Sequence, residues 1–312
     1  MKQSIKRKLY IGLGGAGSTA ILKIKENILA EYGEIPPCIK FLSIDCDELY
    51  AEGNLKSEHL HLRIFSEPDD DKINNWLSSS IRITKSDCGA RQTKAMGRYA
   101  YWLNQLEIEK LIKNNLISLN SFNSILDSKY NVSDSPPIVE MVFSSAGGAG
   151  AGIYLDLSWF IRRVASDALI KASIIMGDLY TAYPFTNNVR GNTYATMLEI
   201  NYMQTIELNS NYSTHYLNES EPISFKEEKL FDQIYVFDKI LKNKMETDLD
   251  WVINSISTII LSENREHEYA NYYDLNLLKS LLEDSNYKDY FKEQPNQERF
   301  FLDKYFQKNI TI

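Results

Sequence analysis

The sequence predicts an α/β protein: a doubly wound, mostly parallel sheet with helices on both faces. Three observations lead there. Strand-like and helix-like segments alternate along most of the 312 residues, the order that builds parallel sheets. The strand candidates are apolar at both parities near their centres, as strands covered on both faces are. Two glycine-rich knots, "YIGLGGAGS" at 10–18 and "FSSAGGAGAG" at 143–152, each lie between a strand and a helix.

The elements follow in order. "KLYIGLG" reads as a short buried strand and "STAILKIKENILAEYG" as the helix after it, with Ala20, Ile21, Ile24 and Ile28 at helical spacing. Gly33, Pro36 and Pro37 close that segment. "CIKFLSIDCD" is the second strand and ends on Asp45 and Asp47. In "EHLHLR", His59 and His61 share one face of an exposed strand, with no third ligand evident for a metal. "SEPDDDK" reads as a solvated turn. "GARQTKAMGRYAYWLNQLEIEKLIKNNL" is a loop leading into one or two helices. "PPIVEMVFSS", "KASIIMGDLY" and "FDQIYVFD" are the third, fourth and fifth strands. They are separated by the helices "IYLDLSWFIRRVASDAL" and "NTYATMLEINYMQTIELN". "METDLDWVINSISTIILSEN" is a long, mostly buried helix. The expected division is a domain over 1–263 and a short helical extension over 264–312, too short for a second full domain.

The bulk numbers narrow the function. A net charge of −8 leaves no basic excess to neutralise phosphates, which disfavours a general nucleic-acid or membrane-surface role. The start "MKQSIKRKLYIGLGG", basic but with a short apolar run broken at glycine, is expected to be neither a signal peptide nor a membrane span. Cys38, Cys46 and Cys88 form no CxxC pair and read as reduced thiols, so a cytoplasmic protein is expected.

The glycine knots offer no side chain for acid–base work. At the carboxyl ends of parallel strands, however, glycine lets backbone N–H groups approach a phosphate, and the helix that follows adds its positive end. Gly12, Gly14 and Gly17 fit a dinucleotide fingerprint loosely, with Asp45 or Asp47 placed for a ribose hydroxyl. That makes an NAD-dependent oxidoreductase one open reading, but it leaves the second knot unexplained. No G-x-x-x-x-G-K-[ST] is present, which excludes a P-loop enzyme, and no G-x-S-x-G elbow surrounds Ser144 and Ser145. A Cβ at Gly148 is expected to sit where a phosphate must approach the backbone. Arg91, Arg98 and Arg190 are the basic candidates for charge-assisted bonds to phosphate.

Taken together, these stretches resemble the tubulin/FtsZ superfamily. "GLGGAGS" resembles its first phosphate loop, and "SAGGAGAG" its glycine-rich signature loop, usually written GGGTGSG. "SIDCD" resembles the "NTD" loop and "GARQTKAMGRYAY" the segment that caps the γ-phosphate. "YPFTNNVRGNTYATMLEI" and "QIYVFDKIL" resemble two further family stretches, all in family order over about residues 8–260. Ala149 and Ala151 stand where the family has hydroxyl residues, Ser18 where it has an Asn beside the base, and Phe237 where an Asn reads guanine.

The resemblance implies GTP or GDP with Mg²⁺. It places Gly14, Gly15, Ala16, Gly17, Ala146, Gly147, Gly148, Ala149 and Gly150 at the phosphates, and Ser18 and Asp250 at the base. Asp45 or Asp47 falls near Mg²⁺ or ribose, with Asp47 as the metal candidate, and Arg91 and Arg190 fall near phosphate. It further implies head-to-tail self-association, with hydrolysis completed by an acid of the next subunit, for which Asp274 is the candidate. A C-terminal domain is expected to be reduced or absent. The alanines of the signature loop keep a third reading open, a nucleotide-regulated interaction module without turnover.

Overall fold

The structure, a computed structural model, describes residues 3–48, 54–67, 77, 82–86, 89–121, 130–133, 135–180, 188–205, 213–214, 216, 221, 223–224, 229–238 and 249–262. The chain divides into two compact units, Met1–Thr258 and Ile259–Ile312. Of the second, residues 259–262 are described. The turn around residues 68–72, Cys88, the helix expected near 273–284 and Asp274 lie outside the described residues.

After a short strand β1 (Gln3–Ile5), the main sheet begins with β2 (Lys8–Leu13), whose six residues are all buried. It runs straight into helix α1 (Gly14–Tyr32), which ends on Gly33 at φ 75, the left-handed conformation that glycine takes without strain. Next come β3 (Ile39–Asp45) and the short edge strand β4 (His59–His61). Two helices follow, α2 (Lys94–Leu103) and α3 (Gln105–Ser121). After β5 (Tyr130–Val132), which pairs with β1, comes the fully buried β6 (Ile138–Ser144). Then follow α4 (Ala149–Val164), β7 (Leu169–Ile175) and α5 (Val189–Gln204). A small antiparallel pair, β8 (Ser213–Thr214) and β9 (Ile223–Ser224), precedes β10 (Gln233–Phe237) and α6 (Leu249–Ser262).

The main sheet has six strands in the order β10-β7-β6-β2-β3-β4, and every pairing in it is parallel. All five strands expected from sequence are in it, and the His59–His61 segment adds the sixth at the edge. From β2 the chain steps through α1 to β3 on one side; from β6 it steps through α4 to β7 on the other. Right-handed crossovers running in opposite directions place α1 and α4 on opposite faces. The order therefore reverses between β2 and β6, the place where open α/β sheets leave a crevice at their carboxyl edge. Register puts Leu13, Ile44 and Phe143 abreast, so Gly14, Asp45 and Ser144 share that edge.

The two glycine stretches differ. The first holds no loop, because β2 runs straight into α1 at Gly14, whereas the second keeps a turn over residues 145–148 between β6 and the start of α4 at Ala149. Glycine is a poor helix former, but here the helix must lie against backbone. A Cβ at Gly17 would overlap the Val142 carbonyl oxygen of β6. Gly17→Ala is therefore expected to push α1 off the sheet and cost about 1–3 kcal/mol, as overpacking in a close-packed core does. Urea denaturation checks this, and an unchanged midpoint would contradict the close approach.

Candidate functional site at the carboxyl edge of the sheet

Four segments meet where the strand order reverses. They are the first turn of α1, the end of β3 through Asp47, the turn at residues 89–93, and the stretch from Ser144 into α4. The two helix starts touch: the position a Cβ would take at Gly14, which has φ 70, lies 3.0 Å from the backbone nitrogen of Gly150. Neither helix has a side-chain hydrogen bond at its N-cap, and neither carries an acid in its first turn. Helix starts leave N–H groups without intrahelical partners and carry about +0.5 of a charge. Two such ends, converging and uncapped by side chains, form a donor surface suited to an anion. Gly15, Ala16 and Gly147 are its half-exposed members; Gly14, Gly17, Ala146, Gly148, Ala149 and Gly150 are buried behind them.

The structure separates the two signature glycines. At Gly148 a Cβ would lie 2.8 Å from the Ala90 Cβ and carbonyl oxygen and 2.9 Å from the Thr93 nitrogen. The space beside Gly148 is thus taken by the protein's own 89–93 turn, not by open room for a phosphate. At Gly147 a Cβ would meet no described atom within 4 Å.

The 89–93 turn is held in an uncommon conformation. Gly89 has φ 75, and Arg91 and Gln92 follow at φ 46 and 54. Left-handed backbone costs a residue with a Cβ on the order of 1–3 kcal/mol and persists where surroundings enforce it. Gly89 donates to the Cys46 carbonyl at 2.7 Å, Thr93 to the Ala90 carbonyl at 2.8 Å, and Asn192 of α5 donates to the Gln92 carbonyl. Arg91 is exposed at the tip, and Arg190 is exposed in the first turn of α5.

The two acids differ. Asp45 is 4% exposed and accepts a 2.7 Å bond from the Cys46 amide. Burial raises its pKa from 3.8 to about 7; the Cys46 amide opposes that shift and the Asp47 charge adds to it. Asp47 is half-exposed, and its carboxylate lies 3.6 Å from where a Cβ of Gly89 would be. No group of three or more His, Cys, Asp or Glu that could hold a metal occurs among the described residues. Two acids suit Mg²⁺ only where a ligand supplies the remaining oxygens, which is how Mg²⁺ is commonly held beside phosphates. His59 and His61 do not act as a pair: His59 Nδ1 meets Ser43 Oγ at 2.8 Å, and His61 Nδ1 meets Glu48 at 3.2 Å.

Other candidates are placed elsewhere. Ser18 is 1% exposed and its hydroxyl is bonded to Ser43 of β3 at 2.7 Å, turned into the sheet. Arg98 is committed to Asp156 by two bonds of 2.9 and 3.1 Å, with Tyr216 donating to the same carboxylate at 2.7 Å. That ion pair fixes α2 on α4. Asp250 is exposed in the first turn of α6, which joins α1 through Asn27 Nδ2 and Ser257 Oγ at 2.8 Å. Phe237 ends β10, where its carbonyl accepts from Met176 at 2.9 Å. Cys38 and Cys46 are buried, and burial pushes the Cys46 thiol above its ordinary range. No helix among the described residues is long and apolar enough to cross a membrane.

The sequence that builds this arrangement has a counterpart among known families. A family model described as tubulin-like matches residues 9–271. The chain belongs to the tubulin-like family. The match takes in the sheet, both helix starts, the 89–93 turn and α6. Solved tubulin-like structures are distant in sequence. CetZ1 from Haloferax volcanii, a GDP-bound monomer, is 11% identical, with TM-score 0.49 over 88% of this chain and 63% of that one. TubZ of Clostridium botulinum phage c-st is 12% identical, with TM-score 0.48 over 84% and 61%. FtsZ of M. jannaschii is 13% identical, with TM-score 0.43 over 83% and 55%. The chain spans less than two thirds of the length of each. No curated protein matches it.

Asp45 gives the site a pH signature in the ligand-free protein. Its proton is held more tightly in the folded state, so its contribution to stability is complete below about pH 4 and is lost as pH rises through about 7. Stability is expected to fall by up to about 1.4 kcal/mol per pH unit across that window. Asp45→Asn should remove this slope. Urea midpoints at a series of pH values check it, and parallel profiles for the two proteins would contradict the buried carboxyl.

Proposed function

We propose that the carboxyl-edge site binds a guanine nucleotide, GTP or GDP, with its phosphates on the converging starts of α1 and α4. The observation that carries this is the pair of helix N-termini, free of side-chain caps and first-turn acids, meeting at Gly14 and Gly150. Membership of the tubulin-like family supports the choice of a guanine nucleotide. Backbone donors around Gly15–Gly17 and Gly147–Ala149 hold the phosphates. Asp47 is the acid exposed enough to face a cation shared with them, while Asp45 stands behind it. Arg91 supplies positive charge from the turn tip, Arg190 is the further basic candidate, and Asp250 is the candidate for reading the base. Mg²⁺, when bound with the nucleotide, neutralises phosphate charge.

Turnover in this reading is slow in the isolated chain and is completed when another copy supplies an acid, Asp274 being the candidate. The NAD reading is weaker, since it calls on one helix start where two converge and on an acid for ribose where Asp45 is buried.

The two glycines supply a clean test. Gly147→Val adds side-chain atoms where no described atom stands within 4 Å, so the protein should fold with unchanged thermal stability. It should lose Mg-GTP affinity at least ten-fold, about 1.4 kcal/mol or more. Gly148→Val, which collides with Ala90 and Thr93, should lose stability and binding together. Equilibrium titration with GTP, ATP and NAD checks this. Full affinity in Gly147→Val, or preference for NAD in the wild type, would remove the proposal.

A further inference from the structure

One amide on α5 ties the two turns of this site together. Asn192 Nδ2 donates one hydrogen to the Gln92 carbonyl at 2.8 Å and the other to the Ala146 carbonyl at 2.9 Å. Both partners are acceptors, so only the NH₂ end of the amide can face them. Ala146 opens the glycine turn before α4. Gln92 is the second of two successive residues with a Cβ held at positive φ. The turn is closed from within by the Thr93–Ala90 bond, and Asn192 grips it from outside.

The base from which Asn192 acts is rigid. Along the same stripe of α5, Thr193 bonds the Ser145 hydroxyl at 3.2 Å and Thr196 accepts from Lys94 at 3.4 Å. Glu199 pairs with Lys94 and accepts from Tyr154 at 2.9 Å. Burial holds the Lys94 ammonium below the ordinary lysine range, and the Glu199 charge opposes that shift.

We propose that Asn192 is a positioning residue: by bridging the carbonyls of Gln92 and Ala146, it holds the left-handed 91–92 turn against the glycine turn so that both face one ligand. The ligand's identity rests on the nucleotide reading above; the clamp does not. Released, Arg91 and Gln92 relax to ordinary backbone and the turn moves away from Gly148 at the start of α4. Asn192→Asp keeps the size and shape but replaces two donated hydrogens with an oxygen facing two carbonyls. A residue needed only for packing would tolerate that change.

Trypsin reads the clamp directly, because a protease takes extended chain and a left-handed turn at Arg91 must open before it is cut. In ligand-free protein, cleavage after Arg91 is expected to rise about ten-fold in Asn192→Ala and further in Asn192→Asp. Gln92→Gly, which adopts positive φ without strain, should return the Asn192→Ala rate toward wild type, a non-additivity that simple loss of packing would not give. Mg-GTP affinity should fall about ten-fold in Asn192→Asp. Should Asn192→Asp fail to fold, Asn192→Ala with and without Gln92→Gly decides alone. Unchanged cleavage in the folded variants overturns the clamp whatever GTP does. Faster cleavage with undiminished affinity, in a wild type that binds GTP, overturns the positioning role. A wild type that does not bind GTP sinks the nucleotide reading and leaves the cleavage rates to judge the clamp.

Discussion

Two helix N-termini rarely meet, because each carries partial positive charge and a fringe of unpaired N–H groups. In this protein α1 and α4 begin in contact, Gly14 against Gly150, and the geometry of the carboxyl edge follows from that contact. It is possible only where no Cβ intervenes. The convergence is unfavourable by itself, and an anion placed between the two ends relieves it. A site of this kind is a consequence of topology, since reversal of strand order between β2 and β6 brings the ends of two adjacent strands, and their helices, to one crevice.

The rest of the unit serves to hold that contact. At the opposite end of the sheet, Lys8 and Glu140 pair at 3.3 Å with both side chains 1% exposed, joining β2 to β6 behind the reversal. Above it, α2 lies close on the start of α4, where a Cβ at Gly97 would overlap the Gly148 carbonyl oxygen. The Arg98–Asp156–Tyr216 cluster fixes that approach. A buried ion pair contributes little net stability against an apolar alternative, but losing one partner is expensive, so such pairs define a unique arrangement more than a strong one. Through α2 the 89–93 turn is delivered to Gly148, and through α5 it is tied to Ala146.

Much of this was legible in the sequence, for physical reasons. Parallel strands buried on both faces announce themselves as apolar runs, and all five expected strands are in the sheet. The edge strand His59–His61 was legible as a strand but not as part of that sheet, since only Leu60 of its three residues is buried. The glycine knots marked the carboxyl edge, yet composition could not tell that the first runs straight into its helix while the second keeps a turn before α4. The family resemblance put Ser18 at the base, but its position on α1 turns the hydroxyl toward Ser43. Asp156, an acid inside the apolar run "IYLDLSWF", was an available signal for the Arg98 pair. Asn192 gave none: an asparagine in a polar stretch acquires meaning only when Gln92 and Ala146, 100 and 46 residues away, are brought to it.

The central claim is that the amides of the two helix starts receive phosphate. Backbone ¹⁵N–¹H spectra of glycine- and alanine-labelled protein, recorded while GDP and then guanosine are added, test it most directly. The account predicts large shifts at Gly15, Ala16, Gly17, Gly147, Gly148 and Ala149 with GDP, and little change at these amides with guanosine at equal concentration. Shifts from GDP that spare both glycine turns, or equal shifts from guanosine, would contradict it.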